Sequence, residues 1–89
     1  MALEIINIGF GNMVVAQKIV AVVGAGSSPI KRLIEGAERQ HRLVDATSGR
    51  RTRSVIVTDS NHVILSHVHP ATLAQKIEGK EVEDEAGTA

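Results

Sequence analysis

Phe10 is the only Phe, Tyr or Trp in a chain of 89 residues. An interior almost without rings must be filled by Ile, Val, Leu and Ala, which bury less area per residue, so the core of such a chain is thin. About 78 residues form one domain, and residues 79–89 read as a separate acidic tail. Domains this small are marginal as monomers and gain burial by pairing with copies of themselves, so a homo-oligomer is expected. Cysteine is absent, which removes both a disulfide framework and a thiolate metal site as sources of extra stability. The start, Met1-Ala2-Leu3-Glu4-Ile5-Ile6-Asn7, has no basic leader followed by a long apolar run, and a cytoplasmic protein without membrane association is expected.

Patterning divides the domain into short elements of both kinds. Leu3 to Ile8 is an apolar run broken by Glu4 and Asn7, and Gly9-Phe10-Gly11-Asn12 ends it as a turn. Met13 to Ala16 and Ile19 to Val23 predict two further strands, with Lys18 at a bend between them. Gly24 to Ser27 is a loop, Ser28 the expected N-cap, and Pro29 the first helical residue. Ile30, Leu33, Ile34 and Ala37 then fall at i, i+3, i+4 and i+7, giving a helix with one apolar stripe that fades near His41. Leu43 to Thr47 predicts a short strand, Ser48 to Arg51 a turn, Thr52 to Thr58 a longer strand, and Asp59-Ser60-Asn61 a hairpin turn into Val63 to Val68. Pro70 opens a last short helix through Ile77. The expected fold class is α+β, an antiparallel sheet with one main helix and a short C-terminal one. Beyond Gly79, low hydrophobicity and dense like charge predict disorder.

The formal net charge of zero conceals two regions of opposite sign. Residues 78–89 hold five of the ten acids and one of the ten bases. Residues 1–77 therefore carry nine bases against five acids, a net of +4. Within that body, Gly49-Arg50-Arg51-Thr52-Arg53 concentrates three guanidinium groups with no acid between Asp45 and Asp59. Arg cannot lose its charge and presents a planar fork of donors, so such a cluster repels itself unless an anion is near. A charged strand edge that resists aggregation is the plainer reading, but such edges usually mix signs. Phosphate is therefore the expected ligand. Lys31 and Arg32 occupy the first turn of the predicted helix, where the macrodipole disfavours cations, and an anion at Ser27 and Ser28 would account for them. Lys31 with Glu35, Glu35 with Arg39 and Glu38 with Arg42 also fall at i,i+4, and Arg39 and Arg42 read as the ordinary pairs of a solvated helix face.

Other chemistry finds little support in the residues. Gly24-Ala25-Gly26 lacks the endings of phosphate-cradling and dinucleotide loops and reads as a turn. His62, His67 and His69 share a stretch of chain, but no thiolate or carboxylate completes a metal site and they read as structural or surface histidines. No serine or threonine sits in a motif with a base and oxyanion donors. The residues imply no enzyme, cofactor, metal or small-molecule substrate. Single-stranded nucleic acid and RNA are read by stacking on aromatic rings, nearly absent here, so duplex DNA held by its backbone is the expected partner. Two alternatives remain open: a scaffold whose basic patch docks an acidic protein, and a small-anion sensor at the Ser27 to Arg32 helix start.

Several separated blocks, in one order and register, carry a specific resemblance. Asn7-Ile8-Gly9-Phe10-Gly11-Asn12, Pro29-Ile30-Lys31-Arg32, Asp45-Ala46-Thr47, Gly49-Arg50-Arg51-Thr52-Arg53, and Asp59-Ser60 with His62-Val63-Ile64-Leu65-Ser66 resemble the RemA family of extracellular-matrix regulators. The resemblance implies a small DNA-binding transcriptional regulator without a helix-turn-helix. It implies activation of biofilm-matrix genes at the nucleoid, and assembly into a ring-like homo-oligomer whose outer surface holds duplex DNA. It assigns DNA contact to Lys18, Arg50 and Arg51, with Lys18 standing where Arg is common. Together with Arg53, Lys31 and Arg32 these form the candidate DNA-binding set.

Overall fold

The computed structural model describes residues 3–79; the acidic tail expected from Lys80 onward lies outside the described residues. The chain runs β1 (Ile5–Gly9), β2 (Asn12–Val15), a 3₁₀ turn (Ala16–Lys18), β3 (Ile19–Gly24), α1 (Ser28–Arg39), β4 (Leu43–Asp45), β5 (Ser54–Thr58), β6 (Val63–Ser66) and α2 (Pro70–Ile77). The fold is α+β, as expected, but its strands do not make one antiparallel sheet. β1 and β2 form a separate hairpin, and β3, β5, β6 and β4 form a four-stranded sheet in that order. β4 lies parallel to β6, because α1 carries the chain across one face of the sheet before β4 begins. No described helix is long and apolar enough to cross a membrane.

Alternation along the sheet supplies two cores. Val55, Val63 and Leu65 face α1, where they bury Ala37 and pack with Ile30, Leu33 and Ile34 of the predicted stripe. Ile56, Ile64 and Val22 face the other way, onto Ile6 and Ile8 of the hairpin and Leu73 and Ile77 of α2. The sheet is thus the middle of three layers, and neighbouring residues of one strand serve different cores. Neither core contains an aromatic ring, and both are packed from Ile, Val, Leu and Ala. Leu3, Ile5, Met13, Val20 and Val44 stay exposed, on the outer hairpin face and on the two edge strands β3 and β4.

Local chemistry sets the helix ends. Ser27, not Ser28, is the N-cap: its Oγ accepts from the Ile30 amide at 3.4 Å. Pro29 sits at the second helical position without an amide hydrogen, so the third amide is the nearest donor that a capping hydroxyl reaches. At the other end, His41 (φ 58°) takes the left-handed conformation. Its amide donates to the Glu38 carbonyl at 3.1 Å, and that of Arg42 to Ala37 at 2.8 Å, the paired closure of a Schellman motif. Gly79 (φ 79°) ends α2 in the same left-handed way.

Candidate nucleic-acid interface

The arginine turn is pinned at both ends by β6. The Ala46 amide donates to the Leu65 carbonyl at 3.0 Å, and the Arg53 amide to Ser66 at 2.9 Å. The strand therefore starts at Ser54 rather than Thr52, and Gly49 to Arg53 stands beyond the apolar layers. Inside the turn, Asp45 Oδ1 accepts from the Thr47 amide at 2.9 Å and from its hydroxyl at 2.6 Å. The side-chain bond first, and the backbone bond second, hold the Asp45 carboxyl below its ordinary value, against a smaller opposing effect of burial. The Arg50 amide donates to the Thr47 carbonyl at 2.9 Å, with Ser48 (φ 50°) and Gly49 (φ 79°) between them both left-handed. Two such residues in succession make a primed turn, which is why a glycine stands at 49.

The turn sends its arginines to different sides. Arg50 lies over the Phe10 ring, its guanidinium carbon 5.9 Å from the centroid, within cation–π range. Phe10 in turn leans on the buried His67, with centroids 4.5 Å apart and planes tilted by 41°. Arg51 and Arg53 instead line an open depression of about 630 Å³ with Lys31 and the α1 leader loop. Among the described residues no carboxylate pairs with Arg50, Arg51 or Arg53. Asp45, the nearest acid in sequence, is engaged by Thr47 instead.

Lys18 stands apart from this group. β3 and β5 pair from Gly24 with Ser54 at one end to Ile19 with Thr58 at the other, so Lys18 follows the end remote from the arginines. Four strand steps separate the two ends, roughly 13 Å. Its ammonium faces Asp59 at 3.7 Å, and its carbonyl accepts from the Asp59 amide at 2.8 Å. Of the two helix cations, Lys31 joins the depression, whereas Arg32 is exposed on α1 outside its lining. The expected Glu38–Arg42 pair does not form: Arg42 donates to the Gln40 side chain at 2.8 Å and to the Asn61 carbonyl, tying the end of α1 to the hairpin turn.

The histidines are dispersed. His62 bonds Ser60, His67 is buried under Phe10, and His69 borders the depression. Among the described residues no three His, Cys, Asp or Glu side chains converge for a metal ion. The Phe10–His67 platform is a feature that the sequence reading missed. Its signal was an aromatic residue between two glycines: a Cβ on Gly9 (φ 105°) would come 2.4 Å from His67 Cε1, so Gly9 lets the hairpin tip close onto the histidine.

Comparison with known proteins gives the chain's family. The family model described as "Extracellular matrix regulatory protein A-like" matches residues 5–77, from β1 to the end of α2. A protein of Dictyoglomus turgidum is 51% identical over 84 residues, covering 94% of this chain and 99% of its own. One from Brevibacillus brevis is 55% identical over 85 residues, covering 96% and 99%, and one from Shouchella clausii is 56% identical over 86 residues, covering 94% and 99%. Their names all begin "Putative regulatory protein". With the match running through both cores and the arginine turn, the chain belongs to the RemA-like family of regulatory proteins.

Proposed function

We propose that the protein is a non-enzymatic regulator that binds duplex DNA through the Arg50–Arg53 turn and activates extracellular-matrix genes, acting at the nucleoid in the cytoplasm. The observation that carries this reading is the arginine turn itself: three permanent cations held beyond the core by backbone bonds to β6, with no carboxylate paired to them among the described residues. Guanidinium forks suit phosphate oxygens, and a turn whose backbone is already bonded to β6 need not fold anew to meet them. One turn is a small footprint, so useful affinity requires repetition. A closed, ring-like homo-oligomer supplies it by presenting the turn at regular intervals, so that weak contacts add along wrapped DNA. The exposed apolar residues of the hairpin face and edge strands support self-association. Lys18, Lys31 and Arg32 extend the same set of DNA contacts.

The test is a salt titration of duplex binding. Arg50→Ala with Arg51→Ala should weaken binding on every sequence and flatten the slope of log affinity against log salt by about 0.9 for each phosphate no longer neutralised. An unchanged affinity and slope would mean that the turn is structural. Light scattering should find an assembly larger than a dimer; a monomer at micromolar concentration would remove the multivalent mechanism.

A further inference from the structure

The depression between the arginine turn and α1 holds more cationic chemistry than the sheet needs. Lys31, Arg51 and Arg53 line it with His69, and no Asp or Glu does. Among the described residues none of those three cations has an ion-pair partner. Lys31 also lies in the first turn of α1, which contains no acid, where the helix dipole opposes a positive charge. Gathering like charges at the positive end of a helix is unfavourable unless an anion neutralises them.

Gly26 borders the same depression. Its backbone does not lie in the left-handed region, and a Cβ built there meets nothing within 4 Å. A side chain at 26 would therefore project into open space at the depression rather than into the protein. The effect of the glycine is to keep one wall of the depression low and its backbone open. At about 630 Å³ the space exceeds what one phosphate group fills and lies within the range of nucleotide-sized ligands.

We infer that this depression is a binding site for a small polyphosphorylated anion of nucleotide size, with Lys31, Arg51 and Arg53 on the phosphates and the Gly26 wall admitting the rest of the molecule. The site shares Arg51 and Arg53 with the duplex interface but not Arg50, which is turned to Phe10. Its occupancy does not require that the protein bind DNA.

Calorimetric titration of the full chain with ATP and with pyrophosphate, at constant ionic strength, tests it. Saturable binding at one ATP per protomer is expected, weakened about tenfold or more by Lys31→Ala, which removes a charge-assisted hydrogen bond. Gly26→Leu should weaken ATP binding by a similar factor while leaving duplex affinity in place, and Arg50→Ala should do the reverse. Pyrophosphate binding that survives Gly26→Leu while ATP binding falls would show that the glycine wall serves the nucleoside part. Unsaturable heats, or ATP binding indifferent to both Lys31→Ala and Gly26→Leu, would overturn the inference. Duplex affinity measured on the same samples is scored separately, so a failure of the DNA reading leaves the nucleotide result decisive, and the converse.

Discussion

The two ends of β5 carry cations on opposite terms. At the Thr58 end Lys18 faces Asp59 at 3.7 Å, an exposed pair on a tight hairpin turn. At the Ser54 end Arg50, Arg51 and Arg53 surround a turn whose one acid, Asp45, is occupied by Thr47. An exposed ion pair contributes little to stability, so the difference lies mainly in what each end offers to solvent. One end is close to electrically closed. The other retains its charge, with Arg50 over the Phe10–His67 platform and Arg51 and Arg53 beside the start of α1. A fold that, among the described residues, neutralises one cation locally and leaves three others without a carboxylate has separated a structural charge from charges available for binding.

The contrast depends most on the anchoring of the arginine end, which Gly9→Ala should break. The added Cβ meets His67 Cε1 at 2.4 Å and the backbone sits at φ 105°, a combination of overpacking and strain worth about 2–4 kcal/mol. Urea denaturation measures the destabilisation; an unfolding free energy within about 0.5 kcal/mol of the parent would mean that the hairpin tip is not fixed to His67.

A smaller effect is expected at the other end. Asp59→Asn releases Lys18 and should raise duplex affinity a few-fold at low salt, with a stability change within about 1 kcal/mol. In a Lys18→Ala background that gain should largely vanish. An equal gain with and without Lys18 would mean that only net charge had changed, and that Lys18 is no part of the interface.

The smallest effect concerns Asp45. Its folded carboxyl titrates below the ordinary 3.8 because Thr47 donates two hydrogen bonds to it. The turn's stabilisation is therefore fully present above that ordinary value and is lost only as pH falls through the lower folded one. Following the Thr47 amide resonance through an acid titration should give a midpoint under 3.8; a midpoint at or above it would contradict the hydrogen-bonded turn.

Much of the fold was legible because local rules agreed with the tertiary outcome. The stripe from Ile30 to Ala37 faces the sheet as its spacing predicts, Pro70 opens α2, and Asp59-Ser60-Asn61 turns the β5–β6 hairpin. The failures were register and partnership. The helix starts at Ser28 rather than Pro29, with Ser27 as its cap. β4 proved parallel to β6, because strand direction follows from where α1 delivers the chain rather than from composition. The charge of the arginine turn was plain in the sequence, but its division into one arginine over Phe10 and two toward Lys31 was not.

By itself the sequence determined the chemistry on offer: an aliphatic core, an arginine cluster with no nearby acid in the chain, and the glycines that permit tight turns. These depend on residue type and on neighbours a few positions away. Only the tertiary structure decided which charges meet. It set Lys18 against Asp59 across 41 positions, drew Lys31 to Arg51 and Arg53, and laid Arg50 on a ring from the first hairpin. The physical reason is that Coulomb and contact energies depend on distance in space, and packing two cores onto the faces of one sheet fixes those distances without regard to separation along the chain.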